Sequence, residues 1–181
     1  HRDLIRNALR MRPDRLIVGE VRGPEAVDML QAMNTGHEGS LSTIHANDTR
    51  DAVARLEVMV AMGGMEISVP VIRSYIASGI HVIVHVCRLK NGQRKVLRIS
   101  ELVGAARGEF QIEDVFRWDI AGERFVATKY VPRCIEQLRH TDSRAVERLF
   151  GPATMIGMTS PQSSSNVSAI ATPVNGLHSP A

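Results

Sequence analysis

Two side chains capable of acid–base chemistry follow two short apolar runs of this sequence. Glu20 comes directly after the run LIVG, and His45 follows the run LSTI further along the chain. A carboxylate after a strand can orient a water molecule or hold the hydration shell of Mg²⁺ beside a phosphate. An imidazole at the next strand end can sense a terminal phosphate by hydrogen bonding. The spacing also allows a plainer interpretation, in which Glu20 is an ordinary polar residue at the rim of a sheet.

Short strands and helices alternate around these residues, which predicts an α/β fold with a parallel sheet covered by helices. Strands are expected over residues 15–19 and 40–46. Helices are expected over residues 3–12, from Pro24 to about Asn34, from Asp48 or Thr49 to Gly63, and from Pro70 to Ser78. Ligands of such sheets bind beyond the carboxyl ends of the strands. Glu20 and His45 are therefore predicted to converge on one crevice.

The pattern changes after Gly79. The runs IHVIVHVCRL and RKVLRISELV flank KNGQ, which predicts two antiparallel strands joined by an Asn-Gly turn. FQIEDVF and RFVATKYV add further short strands, and CIEQLRH and SRAVERLF predict terminal helices. This part is predicted to be a small antiparallel β annex.

Composition gives a domain division. Residues 151–181 contain no Lys, Arg, Asp or Glu and are rich in Ser and Pro, which predicts a disordered tail. The expected division is therefore a core over residues 1–78, the annex with its terminal helices over residues 79–150, and the tail.

The totals exclude several classes of protein. The chain of 181 residues is 44% hydrophobic and 23% charged, as in an ordinary globular protein. No apolar run approaches the roughly 18 residues of a membrane span. The net charge of +3 and the aromatic content of 4% do not indicate nucleic-acid binding. Cys87 and Cys134 have neither metal spacing nor a disulfide framework, which fits a reducing compartment.

Two longer segments carry a resemblance to a known family. LRMRPDRLIVGEVRGPEA and MNTGHEGSLSTIHAND resemble the secretion-superfamily ATPases that drive type II and type IV secretion and pilus assembly. LIVGEVRG matches their Walker B box, with Gly19 where other P-loop proteins have Asp, and TGHEGSLSTIHAN matches their histidine box. Both segments look very much like the CpaF-like ATPases of Flp (tight-adherence) pilus assembly. The resemblance covers roughly residues 1–140.

The resemblance implies a fold, two ligands and a set of site residues. The chain would be the C-terminal part of a RecA-like P-loop ATPase domain that uses ATP and Mg²⁺. Glu20 would be the catalytic acidic residue, acting at the attacking water and at Mg²⁺ through water rather than as a direct ligand. The nucleotide-binding residues implied by the two boxes are Arg22, His37, Thr43 and His45. Arg6 and Arg10, on the preceding helix, are candidates to complete a neighbouring subunit's site, and a solvated helix face is the equal alternative.

The resemblance also implies partners and a location, and it shows that one motif of the family is missing from this sequence. A homohexamer at the cytoplasmic side of the inner membrane, working with the platform proteins of a pilus or secretion machine, is expected. The motif G-x-x-x-x-G-K-[ST] does not occur in the sequence. In this family it lies upstream, so the chain is expected to be a C-terminal fragment. By itself it is expected to bind ATP poorly and to hydrolyse it negligibly, because that loop supplies the backbone N–H groups and the Lys that hold the phosphates.

Three alternatives remain open. The histidines at positions 37, 45, 81 and 85 allow a metal site, although His37-Glu38 does not continue as H-E-x-x-H. Related ATPases serve conjugative DNA transfer, so a DNA-transfer motor is a second alternative. The third is a catalytically inactive structural subunit of a ring.

Overall fold

A computed structural model of the chain describes residues 1–64 and 66–151 and the backbone of residues 169–174. The helices are α1 (Arg2–Arg10), α2 (Glu25–Asn34), α3 (Thr49–Ala61), α4 (Val69–Gly79), α5 (Ile135–Thr141) and α6 (Ser143–Phe150). The strands are β1 (Ile17–Val18), β2 (Leu41–Thr43), β3 (Val82–Arg88), β4 (Arg94–Ala106), β5 (Glu109–Asp119), β6 (Arg124–Ala127) and β7 (Ala169–Val174). No helix in the described part of the chain is long and apolar enough to cross a membrane.

The seven described strands form one sheet in the order β1-β2-β7-β3-β4-β5-β6. The pairs β1–β2, β2–β7 and β7–β3 are parallel, and the pairs β3–β4, β4–β5 and β5–β6 are antiparallel. The α/β class and the antiparallel pairing after Gly79 are therefore confirmed. The antiparallel strands continue the same sheet, and the division into a core and an annex stays a prediction.

Strand β7 corrects part of the prediction of a disordered tail. Its 6 residues lie between β2 and β3, with Ala169 in register with Leu41 and Val82. A proline at position 173 has no N–H to donate to a neighbouring strand, and proline inside a central strand is unusual. This explains why the local sequence indicates no strand there. Residues 152–168 and 175–181, which belong to the same predicted tail, lie outside the described residues.

Helices α2, α3 and α4 pack against one another and supply much of the apolar core. Asp48 caps α3 by accepting hydrogen bonds from the N–H groups of Arg50 and Asp51, both at 2.8 Å. Such a cap satisfies donors that have no partner inside the helix. The buried positions of α3 recur at helical spacing, and Leu56 at their centre is fully buried. The cap thus begins α3 immediately after the segment that carries His45.

Candidate active site

The backbone around Glu20 is held by hydrogen bonds to the neighbouring strand. Glu20 follows β1, and Thr43 is the last residue of β2. The hydroxyl of Thr43 donates to the carbonyl of Gly19, and the carbonyl of Thr43 accepts from the N–H of Val21 at 3.0 Å. Since Thr43 binds the residues on both sides of Glu20, it fixes the carboxylate opposite the segment that leaves β2. Thr43 is thus tied to the backbone beside Glu20, and its predicted nucleotide-binding role stays a prediction.

Glu20 and His45 meet at this edge of the sheet, as their positions at the strand ends predict. Nδ1 of His45 contacts Oε1 of Glu20. Nη2 of Arg22 lies 2.6 Å from the other carboxylate oxygen, Oε2. The side chain of Glu20 is 23% exposed, that of His45 43% and that of Arg22 71%. The three groups therefore form one partly exposed cluster rather than a buried ion-pair network.

The surroundings of Glu20 lower the pKa of its carboxyl group. The hydrogen bond from Arg22 is the largest cause, partial burial acts in the opposite direction, and the contact with His45 lowers the pKa further. The same pairing raises the pKa of the Arg22 guanidinium. Glu20 is consequently a carboxylate at neutral pH. A carboxylate held beside an imidazole can accept a hydrogen bond from water and interact with a hydrated cation.

The loop after Glu20 is anchored by Glu25, at the start of α2. Oε1 of Glu25 accepts from the N–H of Arg22 at 2.9 Å and from the N–H of Gly23 at 3.2 Å. Burial of Glu25 acts to raise the pKa of its carboxyl, but these backbone hydrogen bonds outweigh it and the pKa is lowered. Glu25 therefore fixes the backbone of Arg22, whose side chain extends to Glu20.

His37 is not brought into contact with Glu20 or His45 among the described residues. It lies in the turn before β2, between Gly36 and Gly39, which both have positive φ values, of 82° and 76°. Its carbonyl accepts from the hydroxyl of Ser40 at 2.7 Å. Its buried Nδ1 has no hydrogen-bond partner in the described part of the chain. The predicted nucleotide-binding role of His37 stays a prediction.

Two of the three arginines on α1 make a structural ion pair. Nε of Arg2 and Nε of Arg6 donate to the two oxygens of Asp28 at 2.6 Å and 2.8 Å. Asp28 lies on α2 and its side chain is only 4% exposed. Arg6 therefore has a partner within its own chain, although its side chain is 54% exposed, and its inter-subunit role stays a prediction. Arg10 is exposed and has no ionic partner among the described residues.

Glu25 and Asp28 are supporting residues that the sequence interpretation overlooks. Both are acidic residues within the first turn of a helix whose other first-turn positions are apolar. A charged residue on a helix that is apolar nearly all round needs a buried partner, because an unpaired buried charge is strongly unfavourable. That signal, together with the arginines on the preceding helix, could have identified Asp28.

The alternative of a metal site gains no geometric support. Among the described residues, no group of three or more His, Cys, Asp or Glu residues could hold a metal ion. His85 is 5% exposed, with no hydrogen-bond partner for either ring nitrogen among the described residues. Burial is the main cause that lowers the pKa of its imidazole.

A cleft of about 400 Å³ lies away from Glu20, between the start of α3 and the antiparallel strands. Its lining residues are Thr49, Arg50, Arg98, Ile112, Glu113, Asp114, Thr128 and Tyr130. None of the residues that the sequence predicts for the site lines this cleft. We therefore place the candidate site at the edge of the sheet, where the functional side chains are.

The chain matches the family model described as type II/IV secretion system protein over residues 1–147. It belongs to the type II/IV secretion system protein family. A Mycobacterium tuberculosis protein provisionally assigned to conjugal transfer is 44% identical over 117 residues, which are 65% of this chain and 32% of that protein. The conjugal transfer protein TrbB of Rhizobium radiobacter is 37% identical over 110 residues, 61% of this chain and 32% of TrbB.

A solved structure shares the fold of part of this secretion-family chain. It is the crystal structure of the VirB11 ATPase of the Brucella suis type IV secretion system in complex with sulphate, with a TM-score of 0.51 and 30% identity. The match covers 54% of this chain and 31% of VirB11. The chain thus spans about a third of the length of the relatives it matches. The finer resemblance to CpaF-like ATPases of Flp pilus assembly is not confirmed by these matches.

Proposed function

We propose that this chain carries the Walker B and histidine-box part of an ATPase motor that powers type II or type IV secretion or the assembly of Flp pili. The observation that carries the proposal is the contact between Glu20 and His45 at the end of β1 and β2. These residues come from the two boxes of the family, and the fold brings their side chains into contact. The family membership and the likeness to a VirB11 ATPase support the same proposal.

In the proposed reaction, Glu20 orients the water that attacks the terminal phosphate of ATP. Its lowered pKa keeps it ionised, so it accepts a hydrogen bond from that water. His45 donates to the Glu20 carboxylate from Nδ1, and it can donate toward the phosphate from Nε2 when both ring nitrogens carry a proton. Thr43 keeps the geometry by binding the backbone on both sides of Glu20. Catalysis of this kind depends mainly on positioning and electrostatic stabilisation.

The Glu20 carboxylate is suited to hold Mg²⁺ through the water molecules of its hydration shell. Mg²⁺ keeps several of its waters and is commonly bound by one or two carboxylates together with phosphates. Glu20 is the carboxylate at this edge that would contact its hydration shell. When bound, Mg²⁺ neutralises developing charge on the phosphate oxygens.

A RecA-like arrangement of the whole ATPase domain belongs to the proposal. So do a homohexamer, platform proteins of the inner membrane as partners, and a position at the cytoplasmic face of that membrane. Arg6 and Arg10 are the candidates for completing a neighbouring subunit's site, and Arg6 also pairs with Asp28. We expect the 181-residue chain by itself to hydrolyse ATP negligibly, and measurable turnover by that purified chain would contradict this expectation.

Replacing the carboxylate tests the proposal directly. In the complete gene product, Glu20→Gln should abolish ATP turnover without weakening nucleotide binding, because the amide keeps the shape but cannot act as the carboxylate does. Turnover is measured by phosphate release and affinity by titration with a non-hydrolysable ATP analogue. Glu123→Gln is the matched control, since Glu123 is exposed and lies in the turn between β5 and β6. Equal loss of turnover and binding in Glu20→Gln would contradict the role assigned to Glu20.

A DNA-transfer motor is the second candidate, because relatives of this chain are named for conjugal transfer. Such a motor should bind DNA with an affinity that falls steeply with salt, since phosphate contacts release counterions. Binding of duplex and single-stranded DNA between about 50 and 200 mM salt distinguishes it from a motor that moves proteins only. A catalytically inactive ring subunit, the third possibility, predicts no turnover in the complete gene product.

A further inference from the structure

Both oxygens of the Glu20 carboxylate have a partner within the chain. Oε1 contacts His45, and Oε2 accepts from Arg22 at 2.6 Å. A carboxylate that orients an attacking water must offer an accessible oxygen, and the Glu20 side chain is mostly covered. Departure of the Arg22 guanidinium would leave Oε2 of Glu20 more open to water.

Arg22 is built to change partners. Its backbone is fixed by the hydrogen bond from its N–H to Glu25. Its side chain is mostly exposed, and an exposed ion pair contributes little, so it can be exchanged at small cost. A guanidinium binds phosphate oxygens in a two-pronged geometry that a single carboxylate oxygen does not match. A phosphate arriving beside Glu20 would thus compete well for Arg22.

We infer that the pairing of Arg22 with Glu20 is exchangeable, and that Arg22 moves onto phosphate when nucleotide binds, which releases Oε2 of Glu20 for water. This inference rests on the proposed ATPase function and deepens it. It states that Glu20 and the nucleotide phosphates compete for one guanidinium. A purely structural ion pair between Arg22 and Glu20 predicts no such competition.

The competition is measured by a double-mutant cycle in nucleotide affinity. The complete gene product, Glu20→Gln, Arg22→Ala and the double variant are each titrated with adenylyl imidodiphosphate, which is not hydrolysed. Glu20→Gln should bind it roughly two- to fivefold more tightly, because Arg22 no longer has to leave a carboxylate. Arg22→Ala should bind it about fivefold or more weakly, because a charge-assisted contact is lost. In the double variant the gain from Glu20→Gln should vanish.

The double variant separates competition from a general charge effect. Removing the Glu20 charge also lessens repulsion of phosphate, but that gain would persist when Arg22 is absent. A gain of equal size in the Arg22→Ala background therefore overturns the inference, while turnover by the parent protein leaves the proposed function standing. Absence of nucleotide binding in all four proteins overturns the proposed function and the inference with it.

Two further variants complete the test. Arg22→Lys keeps the charge and should restore part of the affinity and part of the dependence on Glu20. Arg124→Ala with Asp119→Asn is the matched control, because these residues form an exposed pair, 3.8 Å apart, at the opposite edge of the sheet. That cycle should be additive and leave affinity unchanged. A thermal unfolding profile for each variant checks that the fold is intact. Coupling in the control pair equal to that at Glu20 would overturn the inference.

Discussion

Replacing Asp28 by Asn should destabilise the protein by a predictable amount. Asp28 is nearly fully buried and accepts hydrogen bonds from Arg2 and Arg6, which fasten α1 to α2. The amide of Asn keeps one acceptor oxygen but places an NH₂ group against a guanidinium donor. The change therefore removes two charge-assisted contacts and leaves a buried polar group poorly paired.

The magnitude follows from the exposure of the two arginines. The side chain of Arg2 is 35% exposed and that of Arg6 54%, so solvent weakens both contacts. We assign about 1 kcal/mol to the contact with Arg2, about 0.5 kcal/mol to the contact with Arg6 and about 1 kcal/mol to the unpaired amide. The free energy of unfolding should fall by about 2.5 kcal/mol, which lowers the Tm of a chain of this size by roughly 5–10 °C.

The pH dependence gives a second readout of the same ion pair. Burial is the largest influence on Asp28 and acts to raise its pKa, but the hydrogen bonds from Arg2 and Arg6 outweigh it, so the pKa is lowered. A carboxyl with a depressed folded-state pKa stabilises the fold above its unfolded value, about 3.9, and loses that contribution as pH falls through the folded-state pKa. The stability difference between the parent protein and Asp28→Asn should thus be constant near neutral pH and shrink below about pH 4.

The assay is thermal and urea unfolding followed by circular dichroism at several pH values. Asp14→Asn is the matched control, because it makes the same chemical change at an exposed loop position. This substitution should change the free energy of unfolding by less than about 0.5 kcal/mol. If Asp28→Asn unfolds like Asp14→Asn at pH 7, or if its deficit persists unchanged at pH 3, the assignment of Arg2 and Arg6 to a structural ion pair is wrong.

Three other substitutions test separate parts of the structure. Thr43→Val removes the hydroxyl that binds the Gly19 carbonyl, and we expect slower turnover with little loss of nucleotide affinity, measured by steady-state kinetics. Leu56→Ala should lower the free energy of unfolding by about 2–5 kcal/mol in urea, whereas exposed Val58→Ala should change it by less than about 0.5 kcal/mol. Glu101→Gln weakens the acceptor of the Tyr130 hydroxyl and the Arg133 N–H, so the amide of Arg133 should exchange its hydrogen faster, while its rate stays unchanged in Glu123→Gln. An unchanged kcat in Thr43→Val, equal urea midpoints for the two α3 variants, or an unchanged Arg133 exchange rate would contradict the respective expectation.

Local sequence was sufficient for the elements that carry the site. The helices and strands near the site depend on signals that act over a few residues. These signals are the spacing of apolar residues, the cap at Asp48 and the glycines before β2. The convergence of Glu20 and His45 follows from one general rule, that parallel strands present their carboxyl ends at the same edge. The roles of the individual side chains in catalysis stay predictions.

Contacts between distant segments were decided only by the tertiary structure. The burial of Asp28 against Arg2 and Arg6, the anchoring of Arg22 by Glu25 and the burial of His85 each depend on which surfaces pack together. The same is true of β7, whose residues pair with strands far away in the chain and show no strand pattern of their own. A carboxylate or an arginine looks the same in sequence whether it faces water or a buried partner. Only packing determines its surroundings, and the surroundings set its charge and its strength of pairing. The sequence by itself determined which chemical groups lie at the strand ends, and the tertiary structure decided which of them hold one another.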